Sequence, residues 1–241
     1  MTPLAHPTTA EIFTIPAADW TAINKRVGTV LVLEPLAAIV SKTLPGYPDL
    51  LASSRSWMNS TYDGLVSQSW ALADYAGRAI TTFGDLSAGV KQVPAGATPS
   101  PPLQELVSAA LAALAESTGP LAAAFHSLSG QVQEFLSVNK AVDTQFAASE
   151  GAELGVYWAP VAAQLALLEN AVGWVMGDWN AITSDLVTLQ RPAVDVTMEF
   201  IELLQLDAAV VAWTAVRTEA AAFSAKVEDQ KQYWSNPFRG G

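Results

Sequence analysis

Residues 161–189 read VAAQLALLENAVGWVMGDWNAITSDLVTL. The large apolar side chains Val161, Leu165, Leu168, Val172, Val175, Trp179, Ile182, Leu186 and Leu189 recur at steps of four and three without a miss. That is the period of one buried stripe on an α-helix; a half-buried strand would alternate every second residue. The same period extends outward in both directions. After a break at Gln190-Arg191-Pro192, it returns from Ala193 to about Trp234 through Val196, Phe200, Leu203, Val210, Trp213, Val216, Ala220, Phe223 and Val227. Before a break over Glu150–Pro160, it runs from Leu103 to about Ser149 through Val107, Leu114, Leu121, Phe125, Leu128, Val132, Phe135 and Val142. A further stripe from Pro48 to about Val90 carries Met58, Tyr62, Leu65, Leu72, Ala76, Ala79, Phe83 and Leu86. A shorter helix is expected near Ala17–Val40.

Proline and glycine supply the punctuation. Breaks fall at Leu44–Pro48 and at Val93–Pro102. Pro48, Pro102, Pro160 and Pro192 stand at expected helix starts, where a missing N–H costs nothing. Gly119-Pro120 lies inside an expected helix and should kink or break it. A helix of roughly 43 residues is about 65 Å long, and four such helices with sustained stripes must pack side by side. The expectation is an all-α, elongated antiparallel bundle of about five helices, four of them long. Its parts are an irregular arm over 1–16, one helical-bundle domain over 17–235 with a short tip near 149–160, and a tail over 236–241.

Composition narrows the function. The chain has 241 residues, 51% of them hydrophobic and 15% charged, which suits a buried core and not disorder. Its 12 Lys+Arg stand against 23 Asp+Glu, a net charge of −11. Nucleic-acid binding needs clustered cations to neutralise phosphates, so no nucleic acid is expected as a partner. With no cysteine, disulfides, thiolate metal sites and thiol nucleophiles are excluded. Met1–Trp20 has neither a cation nor an apolar core of the kind a Sec signal peptide carries. No apolar run reaches the ~18 uninterrupted residues of a transmembrane helix. Val27–Val40 is interrupted by Glu34 and Pro35, and Gly155–Leu168 ends at Glu169.

No catalytic constellation emerges, and no enzyme activity, cofactor or metal is expected. His6 lies in the arm and His126 follows Phe125 in a helix, with no carboxylate close in sequence. Phosphate-loop, nucleophile-elbow and zinc-protease motifs are missing. Bundle di-metal sites use Glu-x-x-His pairs, which never occur here. Glu199 with Glu202 and Asp178 with Asp185 read as solvated faces. Trp57, Trp70, Trp174, Trp179 and Trp213 fall at helical spacing, where core packing is the simpler account. Tyr157 and Trp158 differ. They sit beside Pro160 in Gly155-Val156-Tyr157-Trp158-Ala159-Pro160, where aromatics either plug the end of a core or meet a membrane interface. The candidate tip residues are Val156, Tyr157, Trp158, Val161 and Leu165.

Four ordered segments carry a resemblance. They are Tyr47-Pro48-Asp49-Leu50-Leu51 with Trp57, Tyr62 and Leu72-Ala73-Asp74-Tyr75-Ala76; Val138-Asn139-Lys140-Ala141-Val142-Asp143; Gly177-Asp178-Trp179-Asn180-Ala181-Ile182; and Ala212-Trp213-Thr214-Ala215-Val216 up to Ala222-Phe223. Their order and spacing resemble the cytolysin A-like α-pore-forming toxins, most closely the haemolysin BL, xenorhabdolysin and α-helical insecticidal toxin branch. The resemblance implies a secreted protein, soluble before membrane contact, that oligomerises on membrane lipid or joins partner toxin components. Members of that superfamily carry a sizeable head between the second and third long helices. Here the interval shrinks to Ser149–Pro160, leaving Gly155–Leu168 as a reduced substitute. The alternative is a non-lytic interaction or adaptor protein whose helical faces bind partner helices. A carrier of apolar ligand between helices is a third reading.

Overall fold

The computed structural model describes residues 15–94, 97–148, 160–189 and 196–237. Every regular element among them is helical: α1 (Ala17–Val32), α2 (Ala37–Thr43), α3 (Tyr47–Ser56), α4 (Tyr62–Val90), α5 (Pro101–Ala148), α6 (Ala162–Leu189), α7 (Met198–Leu203), α8 (Leu206–Glu228) and α9 (Gln232–Ser235). The all-α class is as expected from the 4–3 stripes. The count of about five helices, four long, is not, because three of the expected elements divide.

Each division has a local cause. Pro35 has no N–H, so α1 stops and the chain crosses Glu34–Leu36 as a 3₁₀ turn before α2. A π turn over Trp57–Thr61 joins α3 to α4, and its wide pitch lets Trp57, Thr61 and Tyr62 all face inward. Between α7 and α8 Gln205 adopts a left-handed φ of 47°, which no helix interior tolerates. At Gly119-Pro120, where a kink or a break is expected, α5 is not broken and continues from Pro101 to Ala148. Pro120 is exposed, so water can take the carbonyl that its missing N–H releases. Pro48 and Pro102 lie in first turns as expected, whereas Pro192 lies outside the described residues.

The residues cluster into two compact units. The described residues of the first are 68–94, 97–125, 175–189 and 196–222. Its centre is aromatic: Tyr75 meets Trp179 edge-on at 4.9 Å and Trp213 at 5.2 Å, and Phe125 stacks on Trp179 at 6.4 Å. Phe83, Leu86, Leu111, Leu114 and Val216 continue this core. At one edge Ser87 Oγ donates to Asp207 Oδ1 (2.6 Å) and Lys91 Nζ pairs with the same carboxylate (3.0 Å), joining the end of α4 to the start of α8.

The described residues of the second unit are 15–67, 126–148, 160–174 and 223–237. Trp57 stacks on Phe135 at 4.6 Å, Trp20 meets Phe223 at 5.5 Å, and Tyr62 meets Trp234 at 4.9 Å. Arg26, on the buried face of α1, pairs with Asp143 of α5. A smaller cluster gathers Val30, Val40, Leu44, Tyr47, Leu50 and Val142, and the Tyr47 hydroxyl donates to the carbonyl of Val30 (2.7 Å).

Candidate functional site

Of the five tip residues read from the sequence, Val161 and Leu165 lie in the second unit and both are fully buried. They begin the core stripe of α6, facing the protein interior in this structure. Val156, Tyr157 and Trp158 lie outside the described residues. Trp57, Trp179 and Trp213 are core residues as expected, but Trp70 is exposed on α4 and joins no core. The side chain of Trp174 and all of His6 fall outside the description, and His126 is exposed.

The polar chemistry of the described residues is sparse. Among them no three His, Asp or Glu side chains come close enough to hold a metal ion. A shallow cleft of about 250 Å³ in the first unit is lined by Ser87, Lys91, Glu202, Gln205 and Asp207. Its hydroxyl and its ammonium both engage Asp207, and these bonds hold that carboxyl below the usual carboxylate range, the Ser87 bond contributing most. Glu199 and Glu202 are exposed, as a solvated face requires.

The feature that stands out is apolar. Helix α5 is 48 residues long and contains an 18-residue window of mean hydropathy 1.3, of which only 28% is buried. Residues 106–123, LVSAALAALAESTGPLAA, form that window, and Glu116 is their single charge. At 1.5 Å per residue the window is about 27 Å long, close to the hydrocarbon thickness of a bilayer. The buried part is Val107, Leu111, Leu114, Thr118 and Leu121. The outward part is Leu106, Ala109, Ala112, Ala113, Gly119, Pro120 and Ala123, together with Ser108 and the charged Glu116. A helix that is apolar on its covered face obeys ordinary amphipathic patterning; one that is also apolar on its uncovered face does not. A scan for uninterrupted apolar runs misses this window, because Glu116, Ser117, Thr118 and Pro120 break it. The available signal was the absence of any second charge between Glu105 and Glu134.

No protein-family model matches the chain, and no curated protein or solved structure matches it.

Proposed function

We propose that this chain is a membrane-active α-helical protein of the pore-forming-toxin kind, or one component of such a system. The supporting observation is the apolar window of α5, long enough to cross a bilayer and only 28% buried. The ordered segments that resemble the cytolysin A-like toxins point the same way, and the reading entails export of a water-soluble form.

The physical course follows from the residues. Moving 106–123 into lipid transfers Val107, Leu111, Leu114 and Leu121 from one apolar medium to another, so the hydrophobic cost of leaving the core is small. The helix keeps its own backbone hydrogen bonds, which a bilayer demands. Pro120 is tolerated there, since neighbouring helices and hydroxyl side chains can satisfy the freed carbonyl. Glu116 is the exception. A carboxylate within the hydrocarbon must face water or a protein interior, so insertion requires several copies or partner components around a wet path.

The test is dye release from phospholipid vesicles, with the protein alone and mixed with candidate partner components. Release is expected, and Ala112→Asp with Ala113→Asp, both at exposed positions, should reduce it at least ~10-fold while leaving helicity unchanged. Inertness in every mixture would end the lytic reading. The exposed Ala109, Ala112, Ala113 and Ala123 also suit close approach of a partner helix, which is the adaptor alternative. A stoichiometric protein complex together with no lipid affinity would favour it.

A further inference from the structure

Eight large apolar side chains are exposed among the described residues, and three of them fall within eight positions of chain: Val32, Leu36 and Ile39. The other five, Trp70, Leu106, Leu167, Val187 and Val211, are dispersed over four helices. Scattered exposed hydrophobics are ordinary, whereas a contiguous group marks a contact surface. The three lie close together in the chain, at the end of α1, in the 3₁₀ turn and at the start of α2, with Pro35 and Ala38 also exposed between them.

The group is held by a packed base. Val30 and Val40, on the inward side of the same segment, are buried against Leu44, Tyr47, Leu50 and Val142. Glu34 pairs with Arg55, tying the turn to α3. The outward side chains are therefore presented by an ordered turn, and the only other charge between Val30 and Thr43 is the exposed Lys42.

Two occupants can be compared on size and charge. A stable protein interface covers roughly 800 Å² on each partner. Three half-exposed aliphatic side chains and a proline fall well short of that. A second copy is further disfavoured by the net charge of −11 on each chain. A lipid surface needs no such area, since a few aliphatic side chains entering the headgroup and acyl boundary suffice for reversible docking. The local charges, Lys42 and Arg55 against Glu34 and the exposed Asp49, balance, and Arg55 is already paired with Glu34, so docking here rests on the aliphatic side chains and suits a neutral lipid surface.

We propose that Val32, Leu36 and Ile39 form a membrane-docking site that enters the bilayer interface without crossing it. The site rests on the membrane-active reading and adds to it a point of first contact, on a segment distinct from the window of α5.

The absence of native cysteine makes the test direct. Full-length Ile39→Cys, and Val211→Cys as a control on an isolated exposed position, would each carry an environment-sensitive fluorophore. Both would be mixed with vesicles of phosphatidylcholine alone or with phosphatidylserine. The probe at position 39 is expected to shift to the blue and to be quenched by headgroup-level lipid quenchers, and the probe at 211 is not. Leu36→Ser with Ile39→Ser, both exposed in the fold, should lower vesicle flotation about tenfold. Flotation of the unaltered protein with an aqueous probe at 39 and an unaffected double variant would overturn the docking site and leave the membrane reading intact. No flotation of the unaltered protein on either vesicle would overturn both.

Discussion

Asn24 lies at the centre of the aromatic core of the second unit, where its Oδ1 accepts from the indoles of Trp57 (3.3 Å) and Trp234 (2.8 Å). Its Nδ2 donates to the main-chain carbonyl of Trp20 one turn back (3.0 Å), so one buried amide anchored to α1 orders two tryptophan side chains. A buried donor left without a partner costs about 1–3 kcal/mol. Asn24→Ala should therefore lower stability by about 2 kcal/mol or more in urea unfolding, and an unchanged midpoint would contradict this account. Tyr47 gives a pH prediction. Burial, with Glu34 adding to it and Arg55 opposing, raises its phenol from the ordinary 10.0 to about 12. Burial pushes Tyr62 and Tyr75 in the same direction. The unfolded chain then releases its phenolic protons first. The stability contributed by Tyr47 is present in full below pH 10 and is lost as pH rises through about 12. Phenolate absorbance followed alongside circular dichroism should show ionisation delayed beyond pH 10 and coupled to unfolding. Normal, early titration of all the tyrosines in the folded protein would contradict it.

At the scale of elements, α1 and α9 approach closely because residue 28 has no side chain. A Cβ on Gly28 would lie 2.2 Å from the carbonyl oxygen of Tyr233, a backbone atom that cannot step aside. Gly28→Ala should push α9 off α1 at a cost of about 1–3 kcal/mol or more. The same displacement would break the Trp234–Asn24 bond and change the tryptophan emission. Full stability with unchanged emission would show that the contact is looser than described. What the sequence revealed of these elements follows from what periodicity reports. The stripe from Val161 to Leu186 names the buried face of α6 correctly, because a 4–3 repeat on a long helix has few ways to be satisfied. Periodicity leaves Val161 and Leu165 open between core and tip, because an apolar residue at a helix start looks identical whether it faces a core or a bilayer; in this structure both face the core. The apolar stretch Val27–Val40 is legible in the sequence, but which of its side chains face outward is not, because Glu34 and Pro35 interrupt it and the 3₁₀ turn resets the helical phase. The boundaries at Trp57–Thr61 and Leu204–Gln205 each displace the stripe by one residue: Trp57 is buried where the period names Met58, and Ala209 where it names Val210.

For the whole molecule, two apolar surfaces stand out among the described residues, on a chain of net charge −11: the α5 window and the turn between α1 and α2. Acidic net charge keeps such a protein soluble and works against electrostatic attachment to anionic lipid. Membrane binding must then be driven by apolar burial, and it should weaken little between low and high salt, since screening acts on charges and not on hydrocarbon. The most direct test is flotation of purified full-length protein with neutral phosphatidylcholine vesicles in a density gradient, at low and at high salt. The account predicts that protein rises with the vesicles in both. Protein that stays at the bottom of both gradients would contradict it and turn the α5 window into a docking face for a partner helix.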